Sequence, residues 1–267
     1  RVYWGDTHLH TNMSADANIA ADMRMGPDEA YRFARGETVS AQNDMSVRLQ
    51  RPLDFLVVAD HAEYLGLTVR LLAADPQLLA NPVAKRWHAL LQGDTATAIQ
   101  SAADARGYTK EMMVDSFLPQ REVLRDEAFA ASVWKEVAAN AERHNQPGVF
   151  SAFAGYEWSS MPEIDNLHRV VIFRDGFDRT SQVRAFSAFD SQDPEDLWRH
   201  LEEYERKTGG QAIAIPHNSN ASNGRMFELK DMQGRALTRD YAERRARWEP
   251  LLEVTQIKGD SEAHPLL

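Results

Sequence analysis

The sequence predicts a single α/β domain, built either as a barrel or as a doubly wound sheet. Six short apolar runs recur along the 267 residues, and stretches with helical spacing lie between them. Continuous runs rich in β-branched residues are typical of strands that are buried on both faces, as in a parallel sheet. Strands that alternate with helices indicate the α/β class. Because no repeat, low-complexity tract or Gly/Ser linker interrupts the pattern, we expect one domain over residues 1–267.

The predicted strands leave one interval that is too long for a single crossover helix. They cover residues 2–4, 53–59, 149–154, 169–173, 212–215 and 251–257. Among the helices, one begins near Pro27, one extends over 120–144, and one begins at Pro194 and ends near Gly209. Proline in the first turn and glycine after the last turn are typical helix boundaries. The interval of about 64–148 therefore predicts a helical insertion between the second and third strands.

Charge and composition favour a small-molecule substrate over a nucleic acid or a membrane. The chain has 30 Lys and Arg residues against 40 Asp and Glu residues, a formal net charge of -10. Nucleic-acid binding depends largely on neutralising phosphates, and no stretch approaches the roughly 20 apolar residues of a membrane span. The absence of Cys excludes disulfides, thiolate metal sites and a cysteine nucleophile. Because the chain opens at Arg1 without Met, we expect that a preceding segment, either a signal peptide or a tag, was removed. A periplasmic or secreted location is slightly favoured over a cytoplasmic one.

Histidines and one acid follow the predicted strands. His8, His10, His61 and His217 come directly after apolar runs, and so does Glu157. The carboxyl ends of parallel strands meet on one face of such folds, where sites are assembled. His8 and His10 point the same way because side chains on an extended segment alternate with period two. Imidazole and carboxylate are natural ligands of zinc, manganese and iron, so the pattern predicts a metal centre in which a bound water is the nucleophile.

Each of these residues also has a structural interpretation when it is taken alone. Asp60 and His61 suit a capped turn, and Glu157 suits an ordinary salt bridge. His168 stands at the start of a strand instead of its end, which is the weakest position in the set. The histidines inside helical stretches are interpreted as solvated, and the one near the end of the chain is given no role; these are His88, His144, His200 and His264. The joint pattern of several histidines at strand exits favours the metal centre.

The order of these motifs resembles the PHP (polymerase and histidinol phosphatase) superfamily. The matching segments, in chain order, are 5–11, 58–61, 155–157, His168 and 216–217. Segments 26–37 and 52–55 are similar to a branch with a long helical insertion, which neighbours enzymes resembling carbaryl hydrolase. The resemblance spans the chain from Trp4 to about Glu262 and implies a distorted (β/α)7 barrel.

The resemblance also implies roles for the individual residues around two or three divalent ions (Mn, Zn or Fe). His8 and His10 would hold one ion, and Glu157 would bridge to a second ion held by His168 and His217. His61 would serve a third position or orient the substrate. The candidates for supporting or catalytic roles are Asp6 and Asp60, as acceptors that fix imidazole tautomers, and Arg169 and Asn218, as contacts to an anionic substrate or as structural hydrogen-bonders.

One motif of the superfamily is missing from this chain. The motif series normally closes with Asp-x-His on the last strand, and the sequence has that pattern only at Asp6 and His8. We therefore expect a barrel that is incomplete in this chain, with a C-terminal fragment of the same protein supplying the last strand and two ligands.

These features predict a metal-dependent hydrolase of a small phosphomonoester, phosphodiester or phosphonate ester. A carboxylic or carbamate ester is the first alternative, because the same activated water attacks either centre. A relative that binds metal or ligand without turnover is the second. A structural α/β domain without metal is the third.

Overall fold

The structure is a computed structural model, and it describes residues 1–19, 23–94, 124, 126–256 and 259–261. The strands in chain order are β1 (Gly5–Leu9), β2 (Val39–Ser40), β3 (Ser46–Val47), β4 (Phe55–Val58), β5 (Ser151–Trp158), β6 (Arg169–Phe173), β7 (Ala212–Pro216), β8 (Thr255–Gln256) and β9 (Gly259–Asp260). The α-helices are α1 (Ala15–Ile19), α2 (Pro27–Ala34), α3 (Leu67–Leu72), α4 (Pro76–Leu79), α5 (Pro82–Asp94), α6 (Glu127–His144), α7 (Phe177–Thr180), α8 (Pro194–Thr208) and α9 (Arg239–Trp248). Short 3-10 turns cover Pro162–Ile164, Ser219–Ala221 and Arg225–Phe227.

Five of the strands form one mixed sheet in the order β1-β4-β5-β6-β7. Strands β1, β4 and β5 run parallel, whereas β6 runs antiparallel to both β5 and β7. The expectation of a wholly parallel sheet is therefore wrong at β6. The connection from β5 to β6 is only ten residues long, which suits an antiparallel pair, because a parallel crossover needs a dozen residues or more.

The sheet curls so that its two edge strands approach each other at one end. The rings of His8 on β1 and His217 after β7 lie 4.2 Å apart between centroids. Four gaps of about 4.8 Å would separate these strands by about 19 Å in a flat sheet. The curl confirms an α/β fold with a half-barrel sheet, and the complete seven-unit barrel stays a prediction.

The central strands are buried on both faces, as the apolar runs predict. The predicted strand 2–4 is wrong, because these residues are exposed and β1 begins after them, at Gly5. Leu56 and Val58 pack in a large core with the helices, in which Trp87, Trp134 and Trp198 are fully buried. Alternate residues of the same strands form a second, smaller cluster on the other face, made of Val57, Ala59, Val170, Ile172 and Ile215. The period of two along each strand accounts for this division.

The predicted starts at Pro27 and Pro194 and the predicted end near Gly209 agree with the structure, whereas the helix predicted over 120–144 begins only at Glu127. Helix α2 begins at Pro27, and α8 begins at Pro194 behind Asp193, whose side chain accepts a hydrogen bond from the backbone of Glu195. Helix α8 ends at Gly209, which has a φ of 65° and therefore favours glycine. Helix α6 covers 127–144 of the predicted 120–144, and residues 120–123 and 125 lie outside the described residues.

The interval between β4 and β5 contains α3, α4, α5 and α6 among its described residues, and 95–123 lies outside them. No helix in the described part of the chain is both long and apolar enough to cross a membrane.

The sixth predicted strand, 251–257, does not join the main sheet. Residues 251–254 are irregular, and β8 pairs with β9 in a small hairpin. The irregular part still follows the sheet edge, because the backbone N–H of Glu253 donates to the carbonyl of Pro216 at 3.0 Å. The prediction of a strand is therefore wrong for residues 251–254, although this segment lies beside β7.

Candidate metal centre

The strand ends bring six of the predicted residues to one edge of the sheet. His8 and Glu157 lie near the carboxyl ends of β1 and β5, and His61 and His217 follow β4 and β7. His168 immediately precedes β6, and because β6 is antiparallel its amino end lies at the same edge. The reversed direction of β6 thus explains how a histidine at a strand start belongs with histidines at strand exits.

Glu157 lies at the centre of five imidazoles. Its two carboxylate oxygens face different histidines. Oε2 lies 3.0 Å from His8 Nε2, 2.8 Å from His10 Nε2 and 3.5 Å from His61 Nδ1. Oε1 lies 2.5 Å from His168 Nδ1 and 2.9 Å from His217 Nε2. The arrangement suits a carboxylate that bridges two cations through separate oxygens.

The cluster contains three neighbouring groups of side chains. Within each group the ligand atoms lie within 4.8 Å of one another. The groups are His8–Glu157–His217, His61–Glu157–His168 and His10–Asp16–His61. The third group contains Asp16 of α1, whose Oδ2 lies 2.7 Å from His10 Nδ1 and 3.7 Å from His61 Nε2. The described residues thus include several sets of His, Glu and Asp side chains close enough to hold a metal ion.

The cluster is deeply buried on one side and open on the other. His217 has no exposed surface and Glu157 is 1% exposed, whereas half of the Asp16 side chain is exposed. The cluster is therefore open to solvent on the side of Asp16 and α1.

The mutual attraction of imidazoles and carboxylates changes their proton affinities. Burial alone would raise the pKa of Glu157, but the electrostatic attraction of the surrounding histidines, with His61 first, holds that pKa well below its usual range. Burial also opposes the charge of His8, yet hydrogen bonds to Glu157 and Glu253 raise its pKa to about 9. For His217 burial dominates and lowers the pKa to about 4, which keeps this imidazole neutral and therefore able to bind a cation.

The donor set fits divalent cations. Neutral imidazole with carboxylate is the ligand chemistry of zinc, manganese and iron. His168 and His217 each use one ring nitrogen on Glu157, and their second nitrogens, Nε2 and Nδ1, are buried without a hydrogen-bond partner among the described residues. Buried polar atoms of this kind normally have a hydrogen-bond partner. The two unpartnered ring nitrogens therefore support a cluster that holds additional atoms or ions.

Two predicted supporting residues have contacts away from the cluster. Asp60 is buried and accepts hydrogen bonds from the backbone N–H of Thr11 at 2.5 Å and from its hydroxyl at 2.8 Å. Its contacts thus fix the chain just after His10, and no imidazole tautomer depends on them directly. Asp6 accepts from the backbone N–H of His8 at 2.7 Å, so it likewise orders the backbone around a ligand.

Arg169 lies in a buried ion pair outside the cluster. Its Nε donates to Glu249 at 3.0 Å, and its guanidinium lies 5.6 Å from the ring of Trp158. The predicted contact to an anionic substrate has no support here, because successive side chains of a strand point to opposite faces and His168 occupies the cluster side. Asn218 does lie beside the cluster, with a φ of 62° and a buried Oδ1 that has no hydrogen-bond partner among the described residues.

The helical histidines are packed rather than solvated. His144 is buried and its Nε2 lies 2.8 Å from Asp28, so its predicted solvation is wrong. His88 contacts the carbonyl of Leu71 at 2.6 Å, and His200 stacks on Phe186 with centroids 4.9 Å apart. His264 lies outside the described residues.

Sequence reasoning missed three residues of the cluster. Asp16 contacts His10 and His61, Glu253 contacts His8 at 2.9 Å, and the hydroxyl of Ser159 is hydrogen-bonded to His61 Nδ1. An acid six residues after His10 was a usable signal for Asp16. No local pattern indicated Glu253, because its contact with His8 depends on how the segment after α9 packs.

Comparison with known proteins places the chain in one family. A family model described as a protein of unknown function (DUF3604) matches residues 1–267. Comparisons with curated proteins and with solved structures found no match. The match covers the strands, the helices and the histidine cluster together. The chain therefore belongs to the DUF3604 family.

Proposed function

We propose that this chain is a metal-dependent hydrolase of a small phosphomonoester, phosphodiester or phosphonate ester. The observation that carries the proposal is the set of three adjoining histidine and carboxylate groups, two of which share Glu157. Several imidazoles packed around one buried carboxylate are costly in a protein unless they are compensated, which favours a functional role for the cluster.

The donors are sufficient for two complete sets of three ligands. His8, Glu157 and His217 would hold one ion. Glu157 also belongs to the second set, with His61 and His168, and would be shared by both ions. His61 belongs to two candidate groups, but a neutral imidazole has only one lone pair for a cation. It therefore completes either the group with Glu157 and His168 or the group with His10 and Asp16. This competition supports two firmly held ions and a third that is held by fewer protein ligands.

Divalent cations in such a site make water acidic enough to act as a nucleophile and stabilise charge on a phosphoryl or acyl oxygen. The chain itself supplies the ligands, orders them through Asp6 and Asp60, and leaves an opening beside Asp16. The unpartnered amide oxygen of Asn218, next to His217, is in position to accept a hydrogen bond from a substrate or from water.

A carboxylic or carbamate ester is the second candidate substrate, and the position of Arg169 favours it. An anionic phosphoester is usually met by Arg or Lys in addition to metal, and the Arg169 guanidinium is held by Glu249. The three candidate metal groups are made of His, Asp and Glu side chains. Such a site is equally suited to a neutral ester that is polarised by the metal.

Elemental analysis and a paired hydrolysis assay test the proposal. Protein purified without chelators is analysed for Mn, Fe and Zn, and is then assayed with nitrophenyl phosphate esters and with nitrophenyl acetate. We expect about two bound ions per chain and hydrolysis of the phosphate esters that a chelator abolishes. Turnover of the acetate alone would favour the second candidate, and bound metal without any turnover would indicate a binding protein. A metal-free protein that takes up no Zn²⁺ or Mn²⁺ contradicts the metal centre itself.

A further inference from the structure

Glu253 is a carboxylate that reaches the cluster from a distant part of the chain. Its Oε2 lies 2.9 Å from Nδ1 of His8, and the two residues are 245 positions apart. The other ring nitrogen of His8, Nε2, faces Glu157 at 3.0 Å. Glu253 therefore contacts the side of the imidazole that is turned away from the bridging carboxylate.

His8 lies on an edge strand, at a point where the pairing with the neighbouring strand is irregular. Strand β1 is an edge of the main sheet and pairs only with β4 among the described strands. Its first two residues are exposed, and its register with β4 is irregular between Asp6 and Leu9, which is the part that contains His8. An irregular ladder fixes the backbone less firmly, so the direction of the ring depends more on side-chain contacts.

The segment that carries Glu253 is anchored beside His217. The backbone N–H of Glu253 donates to the carbonyl of Pro216, the residue before His217. Ser261 donates to the carbonyl of Val254 at 2.6 Å and accepts from the hydroxyl of Ser219 at 3.1 Å. The segment thus spans the open side of the half-barrel, with its backbone on β7 and its carboxylate on β1.

We propose that Glu253 is a positioning residue that holds His8 for the ion shared with Glu157 and His217. A carboxylate on Nδ1 keeps the proton at that nitrogen and directs the lone pair of Nε2 toward the ion, as carboxylates do behind many metal-bound histidines. This inference rests on the metal centre of the proposed function. Glu253 differs from Asp60 and Asp6, which act on the backbone, because it contacts a ligand ring directly.

Zn²⁺ titration of three variants tests the proposal. Glu253→Ala removes the carboxylate, and Glu253→Gln keeps an acceptor oxygen without the charge. Asp260→Ala is the matched control, because Asp260 belongs to the same segment but contacts Thr255. Titration calorimetry gives the affinity and the number of ions bound, and ¹⁵N spectra of the Zn²⁺-loaded protein show which nitrogen of His8 carries the proton.

We expect Glu253→Ala to weaken the tightest Zn²⁺ site by about 10- to 100-fold, which is the usual effect of removing such a partner. Glu253→Gln should lose less affinity and keep the proton on Nδ1, and Asp260→Ala should match the unchanged protein. Wild-type affinity in Glu253→Ala would overturn the positioning role while leaving the metal centre intact. Equal losses in Glu253→Ala and Asp260→Ala would also overturn it, because the segment and not the carboxylate would then matter. Failure of the unchanged protein to bind Zn²⁺ would instead contradict the proposed function.

Discussion

At the scale of single residues, the charge of the cluster is set by two carboxylates that differ in exposure. Glu157 is buried and ionised because the surrounding histidines favour its charged form. Asp16 is half exposed, and although burial opposes its charge, hydrogen bonds to His10 and His61 hold its pKa far below the usual range. The two acids divide the cluster into a buried part around Glu157 and an open part around Asp16.

Replacing Asp16 should affect only the open part. We predict that Asp16→Asn lowers the number of bound Zn²⁺ or Mn²⁺ ions by one, or weakens one of them at least 10-fold, because a neutral amide is a poor ligand for these cations. The measurement is ion content after equilibrium dialysis. Asp28→Asn is the matched control, since Asp28 also contacts a histidine, His144, and neither residue belongs to the three candidate metal groups. Equal ion content in Asp16→Asn and in the unchanged protein would remove Asp16 from the ligand set.

His200 gives the fold a dependence on pH that is separate from the cluster. Burial, together with the charge of Arg184, lowers its pKa to about 4 from 6.5. A histidine with a lowered folded pKa binds protons more readily when the chain is unfolded. Its contribution to stability is therefore complete above about pH 6.5 and is lost as the pH falls toward 4.

Replacing His200 should remove that part of the acid sensitivity. On acidification from pH 7 to pH 4.5, the unchanged protein should lose more of its free energy of unfolding than His200→Phe does. We predict that the two losses differ by roughly 2–3 kcal/mol. Phenylalanine preserves the stacking on Phe186. Urea unfolding at both pH values measures the difference, and parallel losses in the two proteins would show that His200 does not titrate in this range.

At the scale of elements, the direction of β6 decides which side chains reach the cluster. In a wholly parallel sheet the residue before β6 would lie at the opposite edge from Glu157. Because β6 is antiparallel, His168 contacts Glu157 at 2.5 Å and the adjacent Arg169 points away to Glu249. Strand direction could not be derived from the apolar run itself, and only the short connection from β5 indicated it.

His168 and His144 form a matched pair that tests this placement. Both are buried histidines that contact a carboxylate, but only His168 belongs to a metal group. We predict that His168→Gln loses at least 10-fold in Zn²⁺ affinity and in chelator-sensitive hydrolysis, because one lone pair is removed from the buried set. His144→Gln should keep both properties. A His168→Gln protein that binds Zn²⁺ like the unchanged chain would place His168 outside the centre.

At the scale of the whole molecule, the sequence predicted the residues of the cluster better than the shape of the sheet. The sequence allowed prediction of the residues that follow an apolar run, which are His8, His10, His61, Glu157 and His217. Where neighbouring strands are parallel, residues that follow them lie at the same edge of the sheet. The curl of the sheet and the route of residues 249–256 depend on packing between distant segments, which no local pattern records. Glu253 escaped prediction for the same reason, since it lies 245 positions from His8.

The cluster also links the sheet from edge to edge. Its members come from or adjoin β1, β4, β5, β6 and β7, with Asp16 added from α1. The unfolded chain cannot assemble these donors, so cations that bind the folded protein shift the unfolding equilibrium toward the folded state. At 100 times the dissociation constant, one ion contributes about 2.7 kcal/mol.

We therefore predict that saturating Zn²⁺ or Mn²⁺ raises the midpoint of thermal unfolding by roughly 5–10 °C relative to protein in chelator, given about 2–4 °C per kcal/mol for a domain of this size. Scanning calorimetry or circular dichroism measures the shift. Glu157→Gln keeps the shape of the bridging side chain but not its charge, and should abolish most of the shift. His144→Gln should preserve it, since its ring lies on α6 beside Asp28. A shift that survives in Glu157→Gln would mean that the ions bind elsewhere, and the bridging role of Glu157 would then have to be abandoned.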